Sequence, residues 1–103
     1  MSYLNDLFSL DGKVAVAIGA GGVLAGAMAD ALGGAGAKVA VLDLNGEAAD
    51  ARASAVREAT GGETLGMAVD ATSDEDLRKA LGQVLSLWGR VDILLNAPGI
   101  NSG

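Results

Sequence analysis

Short apolar runs and longer amphipathic stretches alternate along this chain. Runs at 13–18, 37–42, 65–69 and 91–96 are rich in Val, Leu, Ile and Ala and nearly free of charge, the pattern of strands covered on both faces. The segments between them carry helical spacing: Leu24, Ala27, Met28, Ala31 and Leu32, then Ala49, Ala53 and Val56, then Leu77, Leu81, Val84, Leu85 and Trp88. Each is long enough to cross from one strand to a parallel neighbour. Right-handed crossovers with the first run at the centre predict an α/β fold, a parallel sheet of strand order 3-2-1-4, the first half of a doubly wound architecture. Stop signals agree with this, since Gly33, Gly34 and Gly36 follow the first helical pattern, Gly61 and Gly62 the second and Gly89 the third. Thr72-x-x-Glu75 reads as a capping box opening the third helix. Hydrophobicity alone places Phe8 and Leu10 against the end of the sheet. No linker, repeat or low-complexity tract breaks the chain, so residues 1–103 are read as one domain.

Composition narrows the partners. Sixteen glycines, many alanines and only three aromatic residues favour helices lying close on a sheet through small side chains over an aromatic-filled barrel. A net charge of -6, with seven Lys and Arg scattered along the chain, leaves no basic stripe for nucleic acid. Any phosphate would have to be held by backbone. The chain has no Cys and no His, which excludes disulfide and thiolate chemistry within it and removes the commonest metal ligand and general base; no metal site is expected. The amino terminus lacks a basic segment ahead of a long apolar one, so it does not read as a secretory signal, and a cytoplasmic location follows by default. The uncharged stretch 14–29 includes Gly22-x-x-x-Gly26, but it is shorter than the about 20 apolar residues of a membrane span.

The chemistry-bearing residues fall at the ends of the runs. After the first run the chain must turn sharply, and a pyrophosphate can approach its backbone only where no Cβ intervenes; Gly19, Gly21 and Gly22 meet that need. The amides of the following helix, beginning near Val23 and Leu24, would then face the phosphates with the positive end of the helix dipole. Leu24 stands where the last glycine of G-x-G-x-x-G would be, so tight strand-to-helix packing remains an alternative explanation of the turn. Asp43 lies 24 positions after Gly19, close to the spacing of about 20 at which an acid accepts hydrogen bonds from an adenosine ribose. A 2′-phosphate there would meet a carboxylate, and Leu44 and Asn45 offer no cation, so NAD is expected over NADP. The alternative is that Asp43 only ends a strand and caps a helix. Asp70, followed by Ala71, ends the third run at the same edge, placed either to bind the adenine amino group or simply to start the next helix.

The segments Leu10-Asp11-Gly12-Lys13-Val14, Gly19 to Ala29, Ala35-Gly36-Ala37-Lys38-Val39, Asp43, Asp70 and Gly89-Arg90-Val91-Asp92-Ile93-Leu94 together resemble the amino-terminal, Rossmann portion of the short-chain dehydrogenase/reductase family. In that family the turn reads Thr-Gly-x-x-x-Gly-x-Gly; here Ile18 replaces the Thr, Gly19 stands, and Val23 and Ala25 replace the later glycines. The run from Gly21 to Ala29 is similar to the mannonate or fructuronate oxidoreductase subgroup, in which Gly-Val-Leu-Gly-Gly is usual. The family's Asn-Asn-Ala-Gly signature corresponds to Asn96-Ala97-Pro98-Gly99. The resemblance implies that Asn96 supports the sheet near the cofactor and that the backbone from Ala97 to Gly99 lines the nicotinamide-side ribose, without a donor from Pro98.

The resemblance further implies hydride transfer between a nicotinamide dinucleotide and a small hydroxy or keto substrate, a sugar acid in that subgroup, by a Tyr-x-x-x-Lys pair with a Ser. The only tyrosine is Tyr3, with Leu7 four positions on, and Ser102 comes too early in the family's order. The expectation is therefore a partial domain, a fragment that stops before the catalytic half, with no catalytic residue and no activity of its own. Two other readings remain: a non-catalytic nucleotide-binding or interaction module, and a methyltransferase-like adenosine binder, which Ile18 disfavours because an acid would be expected there. A bare apolar edge at 91–95 predicts self-association into a homo-oligomer.

Overall fold

A computed structural model of the chain describes residues 9–19 and 23–96, the side chains of 23–25 excepted. The elements are β1 (Val14–Ile18), α1 (Val23–Gly34), β2 (Lys38–Asp43), α2 (Gly46–Thr60), β3 (Thr64–Ala68), α3 (Asp74–Trp88) and β4 (Ile93–Asn96). The four strands form one sheet in the order β3-β2-β1-β4, with every neighbouring pair parallel. Ile18 stands opposite Leu42 on one side and Asn96 on the other, so the carboxyl ends of β1, β2 and β4 finish level.

The two central strands explain why the sheet is a core rather than a surface. All five residues of β1 are buried, as are Val39, Ala40, Val41 and Leu42 of β2. Alternation divides them between two faces. Ala15, Ala17, Val39 and Val41 pack with Ala29 of α1 and with Ala49 and Ala53 of α2. Val14, Val16, Ile18, Ala40 and Leu42 pack with Val69 and with Ala80 and Val84 of α3. Helices therefore cover both faces, as strands without polar alternation require. Leu10 packs against the first of these clusters, and its amide donates to the Ala35 carbonyl at 2.7 Å; Phe8 lies outside the described residues.

Several local details depart from the sequence pattern. Strand β4 begins at Ile93 rather than Val91, because the Asp92 amide donates to the Val14 carbonyl while its carboxylate accepts from the Val14 amide, both at 2.9 Å. Helix α3 is capped by Ser73, not Thr72: the Ser73 hydroxyl accepts from the Asp76 amide at 3.2 Å. Thr72 is drawn away from that role because its amide and hydroxyl both donate to Asp70 Oδ1, at 2.9 and 2.6 Å. Glu75, expected in the capping box, pairs instead with Lys79 at 3.5 Å. At the other end, Gly89 adopts φ +77° and its amide closes onto Leu85, a left-handed cap that residues with a Cβ rarely adopt. The orientation of α1 also differs. Its buried line runs through Gly26, Ala29 and Gly33, whereas Met28 and Ala31, assigned to the apolar face from spacing, flank an open groove of about 360 Å³ with Leu32, Ile93, Leu94 and Leu95. Small residues face inward because the neighbours lie so close: a Cβ on Gly33 would stand 2.5 Å from Val56 Cγ1.

Candidate functional site

The direction in which the chain adds strands reverses between β3 and β4, which puts the switch point of the sheet at the carboxyl ends of the adjacent strands β1 and β4. Open α/β sheets collect ligands at such a point. A cleft of about 260 Å³ lies at this edge, lined by Ile18, Gly19, Asp43, Leu44, Val69, Asp70, Ala71 and Thr72. Apolar walls with a few convergent polar groups are the composition of a small-molecule site.

Three backbone features build it. Gly19 turns out of β1 at φ +81°, a conformation that disfavours a Cβ, and its amide donates to the Leu42 carbonyl at 2.6 Å. That amide is thus engaged with β2 rather than turned toward the cleft. Asp43 accepts from the Asn45 amide through Oδ1 at 2.9 Å. The cap of α2 is Asn45, whose side chain accepts from the Ala48 amide at 3.1 Å, so Asp43 is not a helix cap. Finally, the Val69 amide donates to the Asp43 carbonyl at 2.9 Å, one rung beyond the end of β3, and this places Asp70 beside Asp43.

Asp70 is held through Oδ1 by the two donors of Thr72. The Thr72 hydroxyl and then the Thr72 amide lower its pKa below the usual carboxylate range, so it is ionised at neutral pH. Asp43 and Asp70 therefore present two carboxylates to one cleft. On the opposite edge of the sheet, Arg90 and the Val14 amide hold the Asp92 carboxyl below its ordinary range; that pair fastens β4 to β1 and lies away from the cleft.

Of the residues expected from sequence, Gly19, Asp43, Asp70 and Ala71 share the cleft. Val23 and Leu24 open α1. Asn96 ends β4 opposite Ile18, one strand across from the lining residues. Gly21, Gly22, Ala97 and Gly99 lie outside the described residues. Sequence reasoning gave no site role to Ile18, Leu44, Val69 or Thr72. Their signal was positional: each directly flanks a glycine or carboxylate at a strand's carboxyl end, or lies within two residues of one. Among the described residues no group of three or more acidic, His or Cys side chains is placed to hold a metal ion, and no helix is long and apolar enough to cross a membrane.

Known proteins share this fold. The chain is 38% identical over 93 residues to D-threitol dehydrogenase of Mycolicibacterium smegmatis, covering 90% of this chain and 35% of that one. It is 35% identical to 7alpha-hydroxysteroid dehydrogenase of Escherichia coli, covering 92% of this chain and 37% of the relative. The crystal structure of a hydroxysteroid dehydrogenase from Escherichia coli superposes with a TM-score of 0.84 at 35% identity, over 89% of this chain and 39% of that one. A putative D-mannonate oxidoreductase from Haemophilus influenza with bound NAD superposes with a TM-score of 0.80 at 32% identity, over 88% and 32%. The chain thus spans only about a third of the length of the curated relatives it matches. The short chain dehydrogenase profile matches residues 13–103, and with curated relatives 35% and 38% identical over nine-tenths of its length the chain belongs to the short chain dehydrogenase family.

Proposed function

We propose that this chain is the nucleotide-binding, amino-terminal part of an NAD-dependent oxidoreductase of the short-chain type. The observation that carries this reading is the meeting of Gly19, Asp43, Asp70 and Ala71 in one cleft at the carboxyl edge of the sheet. Ile18, Leu44 and Val69 give a nucleobase apolar surface, and the two carboxylates stand ready to accept hydrogen bonds. Asp43 takes the adenosine ribose hydroxyls, Asp70 and Ala71 the adenine edge, and the amides opening α1 at Val23 and Leu24, with Gly21 and Gly22 ahead of them in sequence, the pyrophosphate. Asn96, Ala97 and Gly99 are assigned to the nicotinamide half by the resemblance of Asn96-Ala97-Pro98-Gly99 to the family's Asn-Asn-Ala-Gly signature. The dinucleotide, when bound, supplies the hydride acceptor; the residues of this chain bind and orient it. NAD is preferred over NADP because a 2′-phosphate would face the Asp43 carboxylate, and a relative solved with NAD supports the choice.

The substrate of the whole protein is a small hydroxy or keto compound, with a sugar acid favoured by the likeness to a putative D-mannonate oxidoreductase. The 103 residues hold no Tyr-x-x-x-Lys pair, and alone they bind nucleotide without catalysing hydride transfer. Exposed Leu94 and the groove beside β4 favour homo-oligomers, which light scattering at rising concentration would test. Isothermal calorimetry tests the main reading: NAD should bind and S-adenosylmethionine should not. Binding of the methyl donor alone, or of neither, would overturn it.

A further inference from the structure

We propose that Asp76, on the first turn of α3, is a positioning residue for the nucleobase end of the cleft. The proposal rests on the nucleotide reading above. Asp76 Oδ2 accepts the Asp70 amide at 3.1 Å. The Asp70 carbonyl accepts the Ser73 amide at 3.0 Å, and its Oδ1 accepts both donors of Thr72. Ser73 Oγ in turn accepts the Asp76 amide at 3.2 Å. The loop from Asp70 to Asp76 is thereby closed on itself, with Asp76 joined to it at both backbone and side chain.

This use of Asp76 is not ordinary helix capping. In a capping box the acid at the third helical position reaches back to the amide of the cap residue itself. Here that amide, on Ser73, donates to Asp70, and the Asp76 carboxylate reaches past it to the pocket wall. The helix start does not depend on the carboxylate, because Ser73 caps through the Asp76 backbone, and Asp74 and Glu75 remain in the first turn. The Asp70 amide does depend on it. Val69 makes the last rung to β2, and one residue later the side chain of Asp76 takes over from the sheet. Behind the loop lies an open cavity of about 270 Å³, lined by Asp76 with Met67, Val69 and Lys79 among others. On that side a hydrogen bond, rather than packing, fixes the position of Asp70.

Two variants of the 103-residue chain separate positioning from stability. Asn can accept through its amide oxygen as Asp does, whereas Ala cannot. Without ligand, hydrogen exchange of the Asp70 amide followed by NMR should be about tenfold faster in Asp76→Ala and near the parent rate in Asp76→Asn. Asp76→Ala should then weaken ADP by about five- to tenfold, the loss of one hydrogen bond's worth of order. UDP, with the same diphosphate and ribose, should change by less than about twofold, and Asp76→Asn should recover ADP. A purely structural role would weaken ADP and UDP alike. Unaltered Asp70 exchange, or an unaltered ADP-to-UDP ratio in Asp76→Ala, overturns the proposal while leaving the nucleotide reading in place. Failure of the parent chain to bind ADP or NAD at all removes both.

Discussion

On the nucleotide reading proposed above, Asp43 is the residue at which cofactor choice should be changeable without dismantling the site. Its Oδ1 holds the Asn45 amide at 2.9 Å, so truncation to Ala would confound lost recognition with a loosened turn. Asp43→Asn keeps an oxygen for Asn45 and removes only the charge. Two effects then act in opposite directions on the two dinucleotides. A ribose hydroxyl donating to a carboxylate contributes about 1.5 to 3 kcal/mol, against about 0.5 to 1.5 for a neutral acceptor, so NAD should weaken by about 1 to 1.5 kcal/mol, or roughly five- to tenfold. A unit charge about 4 Å from another interacts by about 1 kcal/mol in bulk water and about 4 kcal/mol at an effective dielectric of 20. Asp43 is partly buried at the rim of an open cleft, which argues for the lower part of that range. Relief of repulsion should strengthen NADP by at least about fivefold. The NAD-to-NADP affinity ratio should therefore fall by about 25-fold or more. Calorimetric titration of both dinucleotides into parent and variant measures it, with urea unfolding to verify that the variant remains folded. A ratio within about threefold of the parent would refute the placement of Asp43 at the ribose.

Two further outcomes test the scaffold. Gly33→Ala puts a methyl 2.5 Å from Val56 Cγ1 and should destabilise the chain by about 1 to 3 kcal/mol in urea unfolding; adding Val56→Ala vacates that volume, so the pair should couple by at least about 1 kcal/mol, and strict additivity would contradict the close α1–α2 approach. Asp92 has a carboxyl pKa lowered by Arg90 and the Val14 amide; a depressed folded value means stability that is fully present above the ordinary Asp value of about 3.9 and lost as pH falls through the folded value. The melting temperature of the parent should therefore fall as pH drops below about 4, and more steeply than that of Asp92→Asn; parallel profiles would sink the assignment.

The strands were legible because burial on both faces removes polar alternation, and glycines mark where each helix stops. Strand order followed from right-handed crossovers once the first run was placed at the centre of the sheet. What escaped was rotation and competition. Helix α1 is apolar or small nearly all round, so spacing could not say that Ala29 and Gly33 face inward while Met28 faces out. At the start of α3, Thr72 and Ser73 are both good caps, and only the pull of Asp70 on Thr72 decides between them. Asp43 and Asp70 were identifiable from their place after apolar runs. Asp76 was not, since in sequence it is one more acid on an exposed helix turn and only the folded loop brings it to Asp70. The Gly19 amide is a similar case: the turn was predictable, but its bond to Leu42 depends on β2 lying alongside.

These particulars place the control of the cleft in the sheet itself. Asp43 is fixed by being the last residue of β2, and Asp70 by following Val69, whose amide extends the β2–β3 ladder through the Asp43 carbonyl. A slip of one residue between β2 and β3 would turn Val69 away from its core cluster and part the two carboxylates together. Burial of Val69, Leu42 and Ala40 on one face resists that slip, so the apolar pattern that specifies the fold also sets the spacing of the polar groups at its edge. Tolerance to change in the cleft should then follow register rather than proximity. Exposed Leu44 lines the pocket yet belongs to no ladder, and its replacement should alter affinity alone, whereas a change at buried Val69 should alter affinity and unfolding together.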